Sequence, residues 1–392
     1  MEFLKVINGR ITLAGRPVYL RGVNLGGWLM PEGYLLHAPN RGYRFFRRSF
    51  IKKLGSSALA ELEQAFRDNF ITEDDFRCIA GLGFDHVRLP FHYALVESAP
   101  YHCSKTGLAY LDRAVSWAGK FNLRVILDMH AVPGAQNADW HSDSDGRAGF
   151  WTSAVSRQRA VALWQMLAEH FADERTVIGY DILNEAVTDD VKTLNSYYHK
   201  VIASIRKVDK NHVIFVEGNR WAQDIACLDL FEDDDLVLGI HFYEPLECTF
   251  NFYPGLRYPM PGWDRDVMRR RLEASLKIAQ QRGRALWCGE FGVHSRDGHY
   301  GEAAWVEDII SHFQAMGIHW TYWTWKAVKH YMFPDGIMSY RPNDPWVNRQ
   351  GPETGWDCWA GQWPVSKAGM IASWRTAAFT QNEVIVKALW KK

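Results

Sequence analysis

The chain has 392 residues, 47% of them hydrophobic, and its 45 Lys and Arg are balanced by 45 Asp and Glu. That composition supplies a large core and excludes a disordered chain, and a zero net charge argues against a protein that binds nucleic acid through a basic surplus. At roughly 150 residues per domain the length suggests two or three domains, but one α/β barrel fills it, and a single domain over 1–392 is the expectation.

The N-terminus, MEFLKVINGR, carries Glu2 and Lys5 and lacks the apolar segment of a signal peptide. No apolar run reaches the roughly 18 residues of a membrane span. A soluble, cytoplasmic protein is expected, or a secreted one if a leader has been removed. Leu4 to Ile7 and Ile11 to Leu13 flank Asn8-Gly9, a hairpin signal, with Arg10 as an extension of the turn. Short β-rich runs then alternate with longer amphipathic stretches. The predicted strands are Val18–Val23, His86–Pro90, Arg124–Met129, Val177–Leu183, His212–Glu217, Leu236–His241, Ala285–Glu290 and His319–Trp325. The predicted helices are Ala58–Phe70 with Glu73–Leu82, Leu108–Phe121, Arg157–Phe171, Leu194–Val208, Asp264–Gln281 and Glu302–Met316. Eight strand-helix steps point to an α/β fold, a (β/α)8 TIM barrel with an N-terminal β-hairpin. A doubly wound sheet is disfavoured, because Gly22-Val-Asn-Leu-Gly26-Gly27 lacks phosphate-turn spacing. The segment from Lys329 to Pro364, rich in Pro, Gly and Trp, reads as a long loop after strand eight.

Eighteen Trp exceed what packing usually needs, and a flat ring with an N–H handle suits a sugar. None of the six cysteines forms a C-x-x-C pair, so zinc-ribbon and thioredoxin-like chemistry is not indicated. In a (β/α)8 barrel the active site lies at the C-terminal ends of the strands. Those ends carry Arg88 on strand two, Asp128 and His130 on three, Asn184 and Glu185 on four, His241 and Tyr243 on six, Glu290 on seven, and Trp323 and Trp325 on eight. Glu185 and Glu290 each follow an apolar strand, where a carboxylate needs a partner or a task. Two carboxyls across a cleft are what glycoside hydrolysis uses, although a salt bridge, with Arg88 for one of them, is the alternative.

The run Leu20-Arg-Gly-Val-Asn-Leu-Gly-Gly-Trp28-Leu-Met-Pro-Glu-Gly-Tyr34 resembles the opening signature of glycoside hydrolase family 5, closest to its exo-β-1,3-glucanase branch. Ile182-Leu-Asn-Glu185 and Gly289-Glu290-Phe-Gly292 resemble the family's acid/base and nucleophile motifs. Val87-Arg88-Leu-Pro90, Leu127-Asp-Met-His130, His241-Phe-Tyr243 and Trp323-Thr-Trp-Lys326 match further blocks in order, and His130 to Asn137 resembles an exo-glucanase stretch. The resemblance runs from about residue 18 to about 326; residues 331–392 match no motif.

It implies that Glu185 is the general acid/base and Glu290 the nucleophile. Asn184 would bond the sugar's 2-hydroxyl, and Arg88 would hold the nucleophile ionised. Tyr243 would donate to Glu290, and His241 would sit beside the acid/base. His130 would bind hydroxyls in the innermost subsite, and Trp325, with Trp323, would floor it. A cationic neighbour at Glu290 and a less polar setting at Glu185 would push their pKa values apart. The reaction needs no metal and no cofactor. It would retain configuration, with carboxyls about 5–5.5 Å apart.

Glu32 departs from the pattern. It binds a hydroxyl of the terminal sugar, or else pairs with one of Arg41, Arg44, Arg47 or Arg48. The polar segment Trp140-His141-Ser-Asp143-Ser-Asp145 offers metal-capable groups, although such loops are more often solvated. Phe150, Trp151, Trp221, Phe252, Tyr253 and Trp263 lie in predicted rim loops as stacking platforms or packing residues. Cys288 reads as a small core residue.

The expectation is a retaining β-glycosidase on β-glucans or β-gluco-oligosaccharides, exo-acting on β-1,3-linked glucose. The alternatives are a β-glucosidase for aryl or lipid glycosides, an endo-β-glucanase, or a barrel that only binds carbohydrate. A carbohydrate is the one partner indicated, and the oligomeric state is not legible.

Overall fold

In the computed structural model, which describes residues 2–296, 298–328, 331–340 and 356–391, eight parallel strands close on themselves. Barrel strands one to eight are Arg21–Asn24, His86–His92, Arg124–Ala131, Val177–Asp181, Val213–Glu217, Leu236–His241, Ala285–Phe291 and His319–Tyr322. Each pairs with its neighbours in chain order. Strand eight closes on strand one through Trp320↔Arg21 and Tyr322↔Val23. The strands are buried nearly throughout, as parallel strands covered by helices must be. Every predicted strand is present within a few residues of its expected bounds.

The predicted helices are also present, as Ser56–Asn69, Glu73–Gly81, Lys105–Lys120, Ala154–Phe171, Val191–Arg206, Arg265–Gln281 and Glu302–Met316. Their starts are fixed by local chemistry. Ser104, Ser153, Asp190 and Asp264 cap amides of the first turn, and Thr72 with Asp75 forms a capping box. The N-terminal hairpin closes the bottom of the barrel. Leu4, Val6 and Ile11 pack against Ile126, Ile178, Phe215 and Trp287. Its turn is the two residues Asn8 and Gly9, both at positive φ, and Arg10 pairs with Ile7, so Arg10 belongs to the strand and not to the turn.

Helices are also found outside the predicted set. Tyr43–Leu54 is helical and buries Phe46 and Phe50, so its basic residues occupy the solvent side of an amphipathic helix. The expected long loop over Lys329 to Pro364 is corrected in part. Met338–Tyr340 is a strand between Lys326–Ala327 and Phe379–Gln381, and Trp356 opens a helix that runs to Trp374. Trp359, Trp363, Met370 and Trp374 fall on one helical face and are buried. The density of Pro and Gly obscured that periodicity; Pro364 sits inside the helix, near a kink at Ser366. Positions 329–330 and 341–355, which include Pro342, Asn343, Pro345, Trp346, Gly351, Pro352 and Gly355, lie outside the described residues. All six cysteines are free, and Cys288 is in the core as expected. Among the described residues no helix is long and apolar enough to cross a membrane.

Close strand packing leaves no room at Gly179, where a Cβ would lie 1.9 Å from the carbonyl oxygen of Val213. Gly179→Ala is expected to destabilise the barrel by about 1–3 kcal/mol or more through overpacking, read as a lower thermal midpoint.

Candidate active site

The C-terminal mouth of the barrel is organised around Arg88, which is fully buried. Its Nη1 donates to Glu290 Oε1 (2.6 Å) and Asn24 Oδ1 (3.1 Å), and its Nε donates to Asp181 Oδ2 (2.8 Å). Its Nη2 donates to Asn184 Oδ1 (2.8 Å) and Glu217 Oε1 (3.1 Å) and lies 3.1 Å from Asp128 Oδ2. Burial alone would disfavour the cation, but the carboxylates outweigh it and hold Arg88 charged. Burial pushes Asp128 up to about 8 and Asp181 well above the carboxylate range. Each has a buried oxygen without a hydrogen-bond partner.

Glu290 accepts from Tyr243 Oη at 2.8 Å, and its Oε2 lies 3.5 Å from His241 Nδ1. Glu185 faces it, with His241 Nδ1 2.7 Å from Oε1 and His141 Nδ1 3.3 Å from Oε2. One oxygen of Glu185, one of Glu290 and a ring nitrogen of His241 all lie within 4.8 Å of one another. Among the described residues this is the tightest potential cation set, and its atoms are already engaged in hydrogen bonds.

The setting of Glu185 corrects the expectation of a less polar environment. Burial raises its pKa, but the charges of His141 and His241 outweigh burial and hold it below the usual carboxylate range. His141 itself, despite burial, is raised to about 9 by Glu185, Asp139 and Glu32. His130 is driven down to about 3 by burial and is a neutral imidazole. Its Nδ1 is paired with Asp128 Oδ2 (2.7 Å), and its ring stacks on Trp323 with centroids 5.5 Å apart.

A cavity of about 430 Å³ opens over these groups. Glu32, Tyr34, His130, Glu185, Tyr243, Glu290 and Trp323 line its inner part. Asn184 is fully buried behind it, with its carbonyl spent on Arg88. Trp325 does not reach it. Its indole donates to Asp75 Oδ1 (2.8 Å) in the core, so Trp323 alone of the two tryptophans lines the cavity. Ladder pairing of strand eight ends at Tyr322, and the alternation that would place both rings on one face stops there. Trp323 donates its indole N–H to Tyr34.

Glu32 is not paired with the neighbouring arginines. Arg44 meets Asp143 (3.2 Å) and Arg47 meets Glu63 (2.7 Å). Glu32 Oε1 has no hydrogen-bond partner, and burial, reinforced by the charges of Glu290 and Glu185, lifts its pKa to about 8. The segment Trp140 to Asp145 is split. His141 faces Glu185, whereas Asp143 turns to His92 (3.0 Å) and Arg44. Of the predicted rim aromatics, Trp221 and Phe252 line the cavity, while Phe150, Trp151 and Trp263 pack against the scaffold. Tyr253 is exposed and stands apart from the cavity lining.

Sequence reasoning missed Glu217, Tyr34 and the clamp made by Gln136 and Asn137, and it named His141 only as a metal-capable group, not as a neighbour of Glu185. Glu217 ends strand five, and it receives the backbone N–H of Glu185 (2.7 Å) and contacts His241 Nε2 (2.9 Å) and Arg88. Reading the end of strand five as the other ends were read would have found it. Gln136 donates to the carbonyls of His130 and Asn184, and Asn137 donates to that of Glu185.

A family model described as Cellulase (glycosyl hydrolase family 5) matches residues 52–329. A β-xylosidase from Phanerodontia chrysosporium is 31% identical, covering 84% of this chain and 71% of its own length. Endoglucanase C of Acetivibrio thermocellus is 27% identical over 78% of this chain and 91% of its own length. A probable glucan 1,3-beta-glucosidase A from Aspergillus fumigatus is 31% identical over 57% of this chain and 56% of its own. In fold, the chain is similar to endoglucanase Cel5A of Thermotoga maritima, with a TM-score of 0.65 at 18% identity, covering 94% of this chain and 96% of that one.

Burial opposes ionisation of Glu217, but His241, Arg88 and the Glu185 N–H outweigh it and depress its pKa from 4.5 to about 2. A depressed carboxylate stabilises the fold above its unfolded pKa and loses that contribution as pH falls through the folded one. Glu217→Gln is therefore expected to lower stability by about 3 kcal/mol at neutral pH. In acid unfolding, the gap between variant and wild type should narrow below the ordinary carboxylate pKa.

Proposed function

As the chain belongs to glycosyl hydrolase family 5, whose members are retaining glycoside hydrolases, we propose that Glu290 is its nucleophile and Glu185 its general acid/base. The observation that carries this is the facing pair of carboxyls with oxygens within 4.8 Å. An oxygen of each within that reach of the other supports two carboxyls flanking one bond at close range, as a double displacement requires.

Glu290 attacks the anomeric carbon while Glu185 protonates the departing oxygen. Water then enters, Glu185 takes its proton, and the glycosyl-enzyme ester is cleaved with retained configuration. Arg88 and Tyr243 hold the two oxygens of Glu290 in place for attack. Trp323 floors the sugar. Neutral His130 and Glu32, whose Oε1 accepts no hydrogen bond and lies 3.8 Å from His130 Nε2, provide hydroxyl contacts on the inner wall. Asn184, behind the floor, orients through Arg88 and turns its amide toward His130 Nε2 at 3.5 Å.

The substrate reading is exo-hydrolysis of β-glucans or β-gluco-oligosaccharides, with β-1,3-linked glucose first. Its support is the wall that Phe333 makes. Its ring meets Tyr34 (5.1 Å), Trp140 (5.2 Å), Phe250 (5.3 Å) and Phe252 (5.6 Å), from loops after strands one, three and six. A wall bridging three loops favours a blocked pocket over an open cleft. The probable glucan 1,3-beta-glucosidase among the relatives agrees in name. A second reading, a glycosidase for small glycosides with an apolar aglycone, is favoured by Trp221, Leu246, Phe250 and Phe252 at the mouth.

A product time course on laminari-, cello- and xylo-oligosaccharides and on aryl β-glycosides separates these readings. Glucose alone from the β-1,3 series, abolished in Glu290→Gln, is the expected result; activity confined to aryl glycosides would move the substrate to the second reading. Glu185→Ala should cut kcat/KM by about 10²–10⁴ for poor leaving groups. Phe333→Ala should release longer oligosaccharides alongside glucose, and unchanged products would remove the wall from the account.

A further inference from the structure

The imidazole of His141 lies between two carboxyls. Its Nδ1 is 3.3 Å from Glu185 Oε2, and its Nε2 is 3.6 Å from Asp139 Oδ2. Asp139 is fixed in turn by the indole N–H of Trp221, at 2.8 Å, from the loop after strand five. Other titratable groups also face this imidazole. Glu32 comes from the loop after strand one, and His130, on strand three, has its ring 6.2 Å away. His241, on strand six, takes the other oxygen of Glu185.

This arrangement poses a chemical problem. An acid catalyst must carry a proton, yet both oxygens of Glu185 face imidazoles, whose charges favour its ionised form. We propose that His141 is a positioning residue that stores the catalytic proton for Glu185, with Asp139 and Trp221 fixing its ring. This rests on the assignment of Glu185 as acid/base.

The pair in the form of carboxylate and imidazolium has the same charge as the pair in the form of carboxylic acid and neutral imidazole. A single proton shift along the Nδ1–Oε2 contact interconverts them. In the first half-reaction the Nδ1–H bond breaks and an O–H bond forms on Glu185. That proton passes to the glycosidic oxygen as the C–O bond to the sugar breaks, while Glu290 forms its ester. His141 loses its positive charge in the same step in which Glu290 loses its negative charge, so the buried site keeps a constant total. In the second half-reaction a proton from the attacking water goes to Glu185 and on to His141, as the ester breaks and Glu290 regains its charge. Burial makes such balance valuable, because an uncompensated charge in a site excluded from water is costly.

The first test needs no turnover. In protein labelled with ¹⁵N-histidine, with the His141 signals assigned by their loss in His141→Gln, the imidazole should titrate near 9. In Glu185→Gln it should titrate at least one pH unit lower. A midpoint at or below the ordinary histidine range, or no change in Glu185→Gln, would overturn the proposal.

The second test is kinetic. The alkaline limb of kcat/KM reports the acid of the free enzyme. In His141→Gln that limb should move down by at least one pH unit. The kcat/KM on aryl β-glycosides with poor leaving groups should fall about 10–10²-fold, and on dinitrophenyl glycosides, which need little acid assistance in the first half-reaction, it should stay within about threefold. Asp139→Asn should move the limb in the same direction by less. Equal losses on both leaving groups with an unmoved limb, in a variant with native circular dichroism, would mean that His141 only supports the loop. Wild type inactive on every aryl glycoside would count against the assigned reaction, while the titration would still decide the pairing of His141 with Glu185.

Discussion

The buried guanidinium of Arg88 is the interaction on which the mouth of the barrel depends. It meets Asp128, Asp181, Glu217 and Glu290, contributed by strands three, four, five and seven, together with Asn24 from strand one and Asn184 beyond strand four. A planar cation with five donors is the side chain suited to this, since each N–H is fixed in direction and the charge is permanent. Desolvating it is expensive, and the surrounding carboxyls offset that cost only in a complete set. The same contacts fix where Glu290 and, through Glu217, the backbone of Glu185 lie. Structural support and placement of the two carboxyls proposed to react are therefore one network.

Much of this was legible in the sequence because its cause is local. Strands such as Val177–Asp181 and Ala285–Phe291 announce themselves as short apolar runs, and a barrel aligns their C-terminal ends. Arg88, His130, His241, Tyr243, Glu185 and Glu290 follow from that rule. Glu217, at the end of strand five, obeys the same rule. His141, Tyr34 and Phe333 lie in irregular segments, where no periodicity says which way a side chain points. The exchange of Trp325 for Trp323 has the same origin. Two residues apart on a strand they would share a face, but the chain leaves the ladder after Tyr322. The backbone N–H of Trp323 then bonds Phe291, and that of Trp325 bonds Asn24.

The electrostatics of the site were harder to foresee than its composition. A buried carboxyl suggests a raised pKa, and Glu32 and Asp128 behave that way. Glu185 does not, because two imidazoles from distant parts of the chain converge on it. One arrives on strand six and the other on the loop after strand three, and only the folded barrel brings them together. Burial acts alike on all these groups. What separates them is which counter-charge the topology delivers, and the sign of a shift is a tertiary property that burial alone leaves undetermined.

The aromatic wall connects the site to the C-terminal part of the chain. Phe333 bonds through its N–H to Phe250, Asp335 to Val293, and Ile337 to Thr324, while Asn382 bonds back to Ile337. Beneath them Lys326 reaches the carbonyl of Phe70 (2.5 Å) and Thr376 (2.8 Å), and Asp75 receives both Trp325 and Thr376. The segment that shapes the pocket thus leans on a buried polar node away from the reacting groups. The carboxyls proposed to react come from strand ends held in the barrel ladder, whereas the wall proposed to bound the substrate comes from loops tied down one hydrogen bond at a time. That node meets the Arg88 network at Asn24, whose side chain accepts from Arg88 and whose carbonyl accepts the backbone N–H of Trp325. The aromatic wall and the carboxyls at the strand ends are therefore supported by contact sets that differ in kind and join at strand one.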